Sequence, residues 1–568
     1  MDADGKKNYA FSISLRKRLL ILLGCFAGGT LYAAALPPLN WFWAIFFAFI
    51  PVLYAATIYR WKFLTLCGWV WGLGWTLFAY QWLREIHGAI PYLLAPVLSL
   101  WPAVWAMLLP WCWQNAVMPD DSGSWDCCRR SSYLKSEIKP AALLSFVLIS
   151  AILYTLVEWT RSRLFCWNDL AVTQWRNRYL LQLAALGGSY LVGFVTVLTG
   201  SALFAVIFFR KRAIPVAAGI AGVWIMALTY GALHIRSLEK AERPVPFSAA
   251  LVQGDLSQRR HASTAEVYEA IDTCIALSQE VLNQNQCDLV IWPESATPIP
   301  LRSGGSFGQY YQEQLALLRW QHGGIPMLIG TLDFPSDPAL AGKGLTNSAL
   351  FLDHQGLAGK YDKIHRVPFG EYVPCRSLLP EKLIKAVDMG RDLIPGNDFE
   401  PMQLRGDVRA GVAVCYEGVF SYLTSEFARR GASVLIVLSN DAWYPRSSEP
   451  EQHLANAALR AVESGLYMIR CGNNGGSGVV TPDGRFTQYI GSSSPRPELL
   501  RERAAGTVQL QLPLPGGHHT FFIRTGNWFI LLLSIAAEVL MISFWRRSYR
   551  RKKHLAELTE KNKRKECA

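Results

Sequence analysis

"GVAVCYEGVF", residues 411–420, sets a short run of small and apolar residues against a cysteine and a tyrosine–glutamate pair. Gly411 to Val414 read as a buried strand, and Cys415 falls at its end. Free cysteine is among the most buried residue types, so this stretch alone fits packing as readily as chemistry. The decision rests on what the neighbouring strands end on.

Three other stretches finish in the same way. "CDLVIWPESATP", 287–298, runs as a buried strand from Asp288 to Trp292 and then reaches Pro293 and Glu294. "SALFLDHQGLAGKYDKIHRVPFGEYVP", 348–374, reads as a hairpin turning at His354–Gly356, with Lys363 just past its second strand. "ASVLIVLSNDAW", 432–443, ends on Asn440 and Asp441. Across 245–515, short apolar runs alternate with amphipathic stretches and turns rich in Gly, Pro and Asn, the pattern of an α/β domain. Sites in such sheets collect at the carboxyl ends of strands, so these residues can share one cleft.

A Glu, a Lys and a Cys gathered there make chemical sense. The thiolate is the nucleophile, and a free thiol has a pKa near ~8.5. A neighbouring carboxylate can accept its proton, and an ammonium can stabilise both thiolate and oxyanion. That chemistry requires no metal or organic cofactor. The bland alternative is that all three are ordinary residues lining a sheet.

The rest of the chain points to lipid. Its 568 residues exceed one ordinary domain, and it is 51% hydrophobic with 17% charged residues and 21 Trp. Soluble proteins average about 25% charged. Apolar spans recur near 19–30, 41–58, 63–83, 92–116, 140–160, 187–209, 213–233 and 526–545, most near the ~20 residues that cross a bilayer. Eight transmembrane helices are therefore expected, seven of them in a domain at 19–235 and the last at 526–545.

The net charge of +13 does not indicate nucleic acid, because it is concentrated beside the spans. Residues 1–18 hold five basic and two acidic side chains, and residues 546–568 hold ten basic and three acidic. Both ends are read as cytoplasmic by the positive-inside rule. Arg60, Lys62, the loop with Arg129, Arg130, Lys135 and Lys139, and Arg210–Lys211–Arg212 then also fall inside. Arg161, Arg163, Arg176 and Arg178 dissent, since 161–186 would lie outside. The α/β domain at 245–515 is expected outside the cytoplasmic membrane. Twelve cysteines show no paired CxxC spacing, so neither a zinc site nor a disulfide framework is indicated.

Taken in order, W-P-E with Glu294, K-x-H-x-V-P-F-G-E-Y-V-P with Lys363 and Glu371, and C-Y-E with Cys415 resemble the carbon–nitrogen hydrolase (nitrilase) superfamily. "VPFGEYVP", "SNDAWY", "QHLANAALRAVESGLYMIRCGNNGGSGVVTPDGR", and in the membrane part "VEWTRSRLF" and "GGSYLVGF", more narrowly resemble its membrane-bound branch, the apolipoprotein N-acyltransferases. The resemblance implies an αββα catalytic domain inserted before the last helix. It implies transfer of a fatty acyl chain from a membrane phospholipid to the N-terminal amine of a diacylglyceryl-cysteine on an apolipoprotein. The site would lie on the periplasmic side of a bacterial inner membrane.

By the same resemblance Glu294 is the general base, Lys363 the oxyanion stabiliser and Cys415 the nucleophile. Glu371, Tyr416, Glu417 and Asn347 support the site. Asn440, Trp443 and Tyr444 belong to a loop that admits lipid, with core packing the plainer reading of the two aromatics. Two departures stand out: "VQGDLSQRRHAS" lacks the family's tryptophan, and Trp443-Tyr444-Pro445 replaces Trp-Phe-Gly. Residues 117–139 look like an insertion. The competing readings are a membrane-anchored amidase with the same triad, and a non-catalytic membrane protein carrying a dead nitrilase domain. Seven spans before the domain disfavour the first, and the intact triad disfavours the second.

Overall fold

A computed structural model describes residues 3–117, 138–256, 263–297, 299–340, 342–378, 381, 392–444, 447–491, 502–517 and 519–566. Most of the expected insertion, and residues 257–262 of the segment lacking the tryptophan, lie outside these. The apolar stretches form helices packed around one core of aromatic and aliphatic side chains. Among the described residues, five stretches are long and apolar enough to cross a membrane: Leu15–Ala35, Ile90–Val117, Pro140–Leu164, Ala184–Lys240 and Trp528–Arg550. The fourth is two helices, Ala184–Phe209 and Ile214–Lys240, joined by the basic turn Arg210–Ala213. Trp61–Ala79 adds a 19-residue helix, about 28 Å long at ~1.5 Å per residue.

The span expected at 41–58 departs from its reading. It forms two short helices, Ile45–Ala48 and Ile50–Ala56, broken around Phe49 with Pro51 in the first turn of the second. Proline lacks the N–H that would continue the ladder, and a dozen residues cover only about 18 Å of a ~30 Å hydrocarbon core. Glycine sets the closest helix approach in this domain. A Cβ at Gly29 would stand 1.9 Å from the Trp71 carbonyl oxygen, and one at Gly74 would stand 2.2 Å from that of Phe26. The helices Ala3–Ala35 and Trp61–Ala79 therefore pack backbone against backbone, as small residues permit in lipid.

Between the helices Ile214–Lys240 and Trp528–Glu566 lies the α/β domain. Among the described residues, two six-stranded sheets run β12-β1-β2-β3-β4-β5 and β11-β10-β9-β8-β7-β6. The first contains β1 (Val245–Gln253), β2 (Leu289–Trp292), β3 (Met327–Asp333), β4 (Thr346–Asp353), β5 (Gly356–Asp362) and β12 (Ala504–Leu512). The second contains β6 (Met402–Arg405), β7 (Val408–Val414), β8 (Val434–Ser439), β9 (Met468–Gly472), β10 (Gly478–Val480) and β11 (Phe486–Thr487). β1–β2–β3 and β7–β8–β9 pair in parallel at the centre of each sheet. The hairpin turns at the expected place, with Asp353 opposite Gly356.

Side-chain alternation builds four layers. Ala249 and Leu251 face the core between the sheets, with Val412, Val414, Ile436 and Leu438. Ala250 and Val252 face the other way, onto the helices Thr264–Gln284 and Gly305–Gln321. The helices Ser421–Arg429 and Glu449–Ser464 cover the second sheet.

The helix Glu449–Ser464 is buried along its whole length because it also packs on the membrane domain. Gln452 Oε1 accepts from Trp167 Nε1 at 2.9 Å and Asn168 Nδ2 at 2.8 Å. Its Nε2 donates to the carbonyls of Pro37 at 3.2 Å and Ala79 at 3.1 Å. Glu451 takes Asn40 and Arg176, and Asp483 takes Arg178. Arg161 is buried against Asp169 at 2.8 Å. Three of the four arginines that dissented from the charge pattern are thus held by carboxylates, two of them across the domain boundary.

Candidate active site

The three expected catalytic residues come from strand ends on both sheets. β2 delivers Glu294 through Trp292–Pro293, β5 delivers Lys363, and β7 delivers Cys415. Glycine lets the first turn form: a Cβ at Gly330 on β3 would lie 2.2 Å from the Pro293 carbonyl oxygen. Ser295, next after Glu294, has φ +48°, and Cys415 itself has φ +53°. A left-handed backbone at a non-glycine residue costs about 1–3 kcal/mol and persists only where its surroundings over-determine it.

Lys363, 1% exposed, places Nζ 3.2 Å from Glu294 Oε1 and 3.0 Å from Glu371 Oε1. Asn347 Nδ2 donates to the same two oxygens, each at 2.7 Å. Two donor groups thus bridge two carboxylates that would otherwise repel. The second oxygen of Glu371 accepts the Val367 N–H at 2.7 Å, which fixes the loop after β5. Oε2 of Glu294 has no hydrogen bond among the described residues, so it is the oxygen left to accept a proton. Burial works against the charge on Lys363, but Glu294 and Glu371 raise its pKa above the ordinary lysine range.

Burial is also the largest influence on Cys415, and with Glu294 it raises the thiol well above its usual value while Lys363 opposes them. Burial therefore favours the neutral thiol, and the ammonium that opposes it is already engaged by two carboxylates. The side chain is half-buried and borders the core between the sheets.

Glu417 is a bracket between strand ends. Oε1 accepts the N–H groups of Ile364 at 2.6 Å and His365 at 2.9 Å; Oε2 accepts Tyr361 Oη at 2.9 Å and Val414 N–H at 2.8 Å. Burial lifts its pKa and these donors lower it, leaving about 7. One buried carboxylate therefore ties the segment bearing Lys363 to the strand bearing Cys415.

Tyr416 turns away from the sheets and stacks on Trp167 of the membrane domain at 6.0 Å. Asn440 is buried, with Nδ2 3.4 Å from the Glu294 carbonyl and Oδ1 accepting Asn473 Nδ2 at 3.2 Å. Trp443 is exposed, whereas Tyr444 packs edge-on against Trp82 at 5.0 Å. The structure adds a cluster that the strand-end pattern alone does not identify. Asp441 pairs with the buried Arg470, and His453 lies 3.3 Å from Asp441 and 3.6 Å from Glu449. Asp441, Glu449 and His453 can bring their ligating atoms within 4.8 Å of one another, but the Arg470 guanidinium supplies the positive charge they face. The available signal was the position of Asp441 directly after β8 and of His453 inside the "QHLANAALR" helix.

Two family models match the chain. One describes the apolipoprotein N-acyltransferase N-terminal domain and covers residues 28–202; the other describes carbon–nitrogen hydrolase and covers 248–494. An apolipoprotein N-acyltransferase of Geobacter metallireducens is 30% identical over 420 residues, 71% of this chain and 75% of the relative. One from Haemophilus ducreyi is 27% identical over 559 residues, 94% of this chain and 98% of the relative. Among solved structures, an amidase from Nesterenkonia sp. overlaps 50% of this chain and 95% of its own, at 17% identity and a TM-score of 0.34.

Proposed function

The chain belongs to the apolipoprotein N-acyltransferase family, a family of membrane acyltransferases, and from that premise we propose how its residues carry the transfer. The donor is a membrane phospholipid and the acceptor is the N-terminal amine of a diacylglyceryl-modified apolipoprotein. Glu294 removes the thiol proton, and Cys415 sulfur attacks the phospholipid ester carbon. Lys363 stabilises the oxyanion together with the Tyr416 N–H. The carbon–oxygen bond breaks, the lysophospholipid takes a proton from Glu294, and a thioester remains. The acceptor nitrogen then attacks that thioester. Its proton passes to Glu294, the carbon–sulfur bond breaks, and the thiol is restored.

The observation that carries this reading is the placement of Glu294, Lys363 and Cys415 at three strand ends, with Cys415 held in a strained turn. The packing of this domain on a helical membrane core supports a donor that resides in lipid. By the charge pattern, the domain faces the periplasm of a bacterial inner membrane.

Phospholipid alone should acylate the enzyme and release lysophospholipid in a burst. Mass spectrometry of the intact protein should show one added acyl chain, removable by neutral hydroxylamine and missing from Cys415→Ala and Glu294→Ala. An adduct on another residue, or one that persists in Cys415→Ala, would refute the scheme.

A further inference from the structure

We infer that His453 is a positioning residue that fixes the Cys415–Tyr416 peptide and so aims the Tyr416 N–H used as oxyanion donor; the inference rests on the thioester reading above. His453 lies in the helix Glu449–Ser464, where Gln452 beside it is tied to three segments of the membrane domain. Its Nε2 is 3.1 Å from the Cys415 carbonyl oxygen. A carbonyl can only accept, so Nε2 carries the proton in this contact.

The peptide unit converts that bond into an orientation. In a trans peptide the C=O and the following N–H point in opposite directions across one plane. Pinning the Cys415 carbonyl to His453 therefore directs the Tyr416 N–H away from His453. One peptide further back, the Ala413–Val414 unit is held too, since Val414 N–H donates to Glu417 Oε2 at 2.8 Å. Glu417 thus anchors the backbone N–H of Val414 and His453 the carbonyl of Cys415, so the cysteine at φ +53° lies between two anchored peptides.

The groups around the ring set its orientation rather than a titration. Asp441 Oδ1 stands 3.3 Å from Nδ1 and Glu449 Oε1 3.6 Å from it. Arg470 Nη2 also stands 3.3 Å from Nδ1, and the Trp167 ring packs 5.6 Å from the imidazole. Nε2 remains a donor in both the neutral ring that bonds Cys415 and the imidazolium, so the grip on the carbonyl does not depend on pH.

Three substitutions separate orientation from packing. His453→Gln can keep an N–H donor, His453→Phe keeps ring bulk without a donor, and His453→Ala keeps neither. Each is purified as the full chain, its melting temperature is compared with wild type, and acyl-enzyme formation is timed with a phosphatidylethanolamine of defined chains. The inference expects His453→Phe and His453→Ala to acylate at least ~30-fold more slowly at saturating phospholipid, with KM little changed, and His453→Gln to recover most of that rate. If His453→Phe outperforms His453→Gln, or His453→Ala stays within threefold of wild type, the inference is wrong. Should His453→Ala fail to fold, the ranking of the other two decides. A wild-type enzyme that forms no Cys415 adduct would overturn the thioester reading itself, an outcome separate from these.

Discussion

Burial and the Glu294 carboxylate hold the Cys415 thiol high, with Lys363 opposing, so the neutral thiol is favoured over the thiolate near pH 7. A raised thiol pKa means the thiolate fraction is small at pH 7 and keeps growing as pH rises past the ordinary thiol range. Alkylation of the free enzyme by iodoacetamide should therefore still be accelerating at pH 9. A plateau below pH 7 would instead show a preformed thiolate–ammonium pair, contrary to the double engagement of Lys363 by Glu294 and Glu371. Lys363→Arg tests the same square of groups. A planar fork cannot replace a compact ammonium lying 3.2 and 3.0 Å from two carboxylate oxygens. Turnover should fall by ~10²–10³, the usual cost of losing one oxyanion donor. A folded arginine variant retaining more than roughly a tenth of wild-type turnover would remove Lys363 from that role.

Helix packing in the membrane domain makes a different kind of prediction, one about backbone approach. Alanine in place of a helical glycine ordinarily stabilises a helix by up to ~1 kcal/mol. At Gly29 the added Cβ would meet the Trp71 carbonyl oxygen at 1.9 Å, and backbone cannot step aside as a flexible side chain can. At Gly219, on Ile214–Lys240, nothing among the described residues lies within 4 Å of such a Cβ. Gly29→Ala should lower the melting temperature in detergent, and Gly219→Ala should leave it unchanged or slightly raised; equal behaviour would mean that the two helices do not meet as described. The broken pair Ile45–Ala56 shows the converse limit of reading elements from composition. An apolar run of spanning length became two short helices, because hydropathy does not register where Pro51 interrupts the ladder.

At the scale of the molecule, orientation in the membrane is the property the whole chain must agree on. From the basic clusters we propose that both termini lie in the cytoplasm and the α/β domain opposite. Arg161, Arg176 and Arg178 dissent only while their partners are unknown, since Asp169, Glu451 and Asp483 hold them. A single cysteine at the exposed Ser336, in a chain stripped of its natural cysteines, should react with a membrane-impermeant maleimide in intact spheroplasts. Reaction only after the membrane is breached would invert the topology.

The sequence by itself determined the α/β class, the apolar helical domain, the hairpin turn at 354–356 and the order of Glu294, Lys363 and Cys415 along the chain. These depend on periodicity, composition and turn chemistry, which act over a few residues. Only the tertiary structure decided that Asn347 and Glu371 close a square around Lys363, and that Glu417 brackets two strand ends. It also decided that His453 reaches the Cys415 carbonyl from a helix tied to the membrane core. Most of these contacts join residues separated by dozens to hundreds of positions, and a buried donor finds its acceptor only when the sheets and helices have packed. A glutamate after a strand is therefore recognisable in the chain, whereas the hydrogen bonds that give it a role belong to the folded molecule.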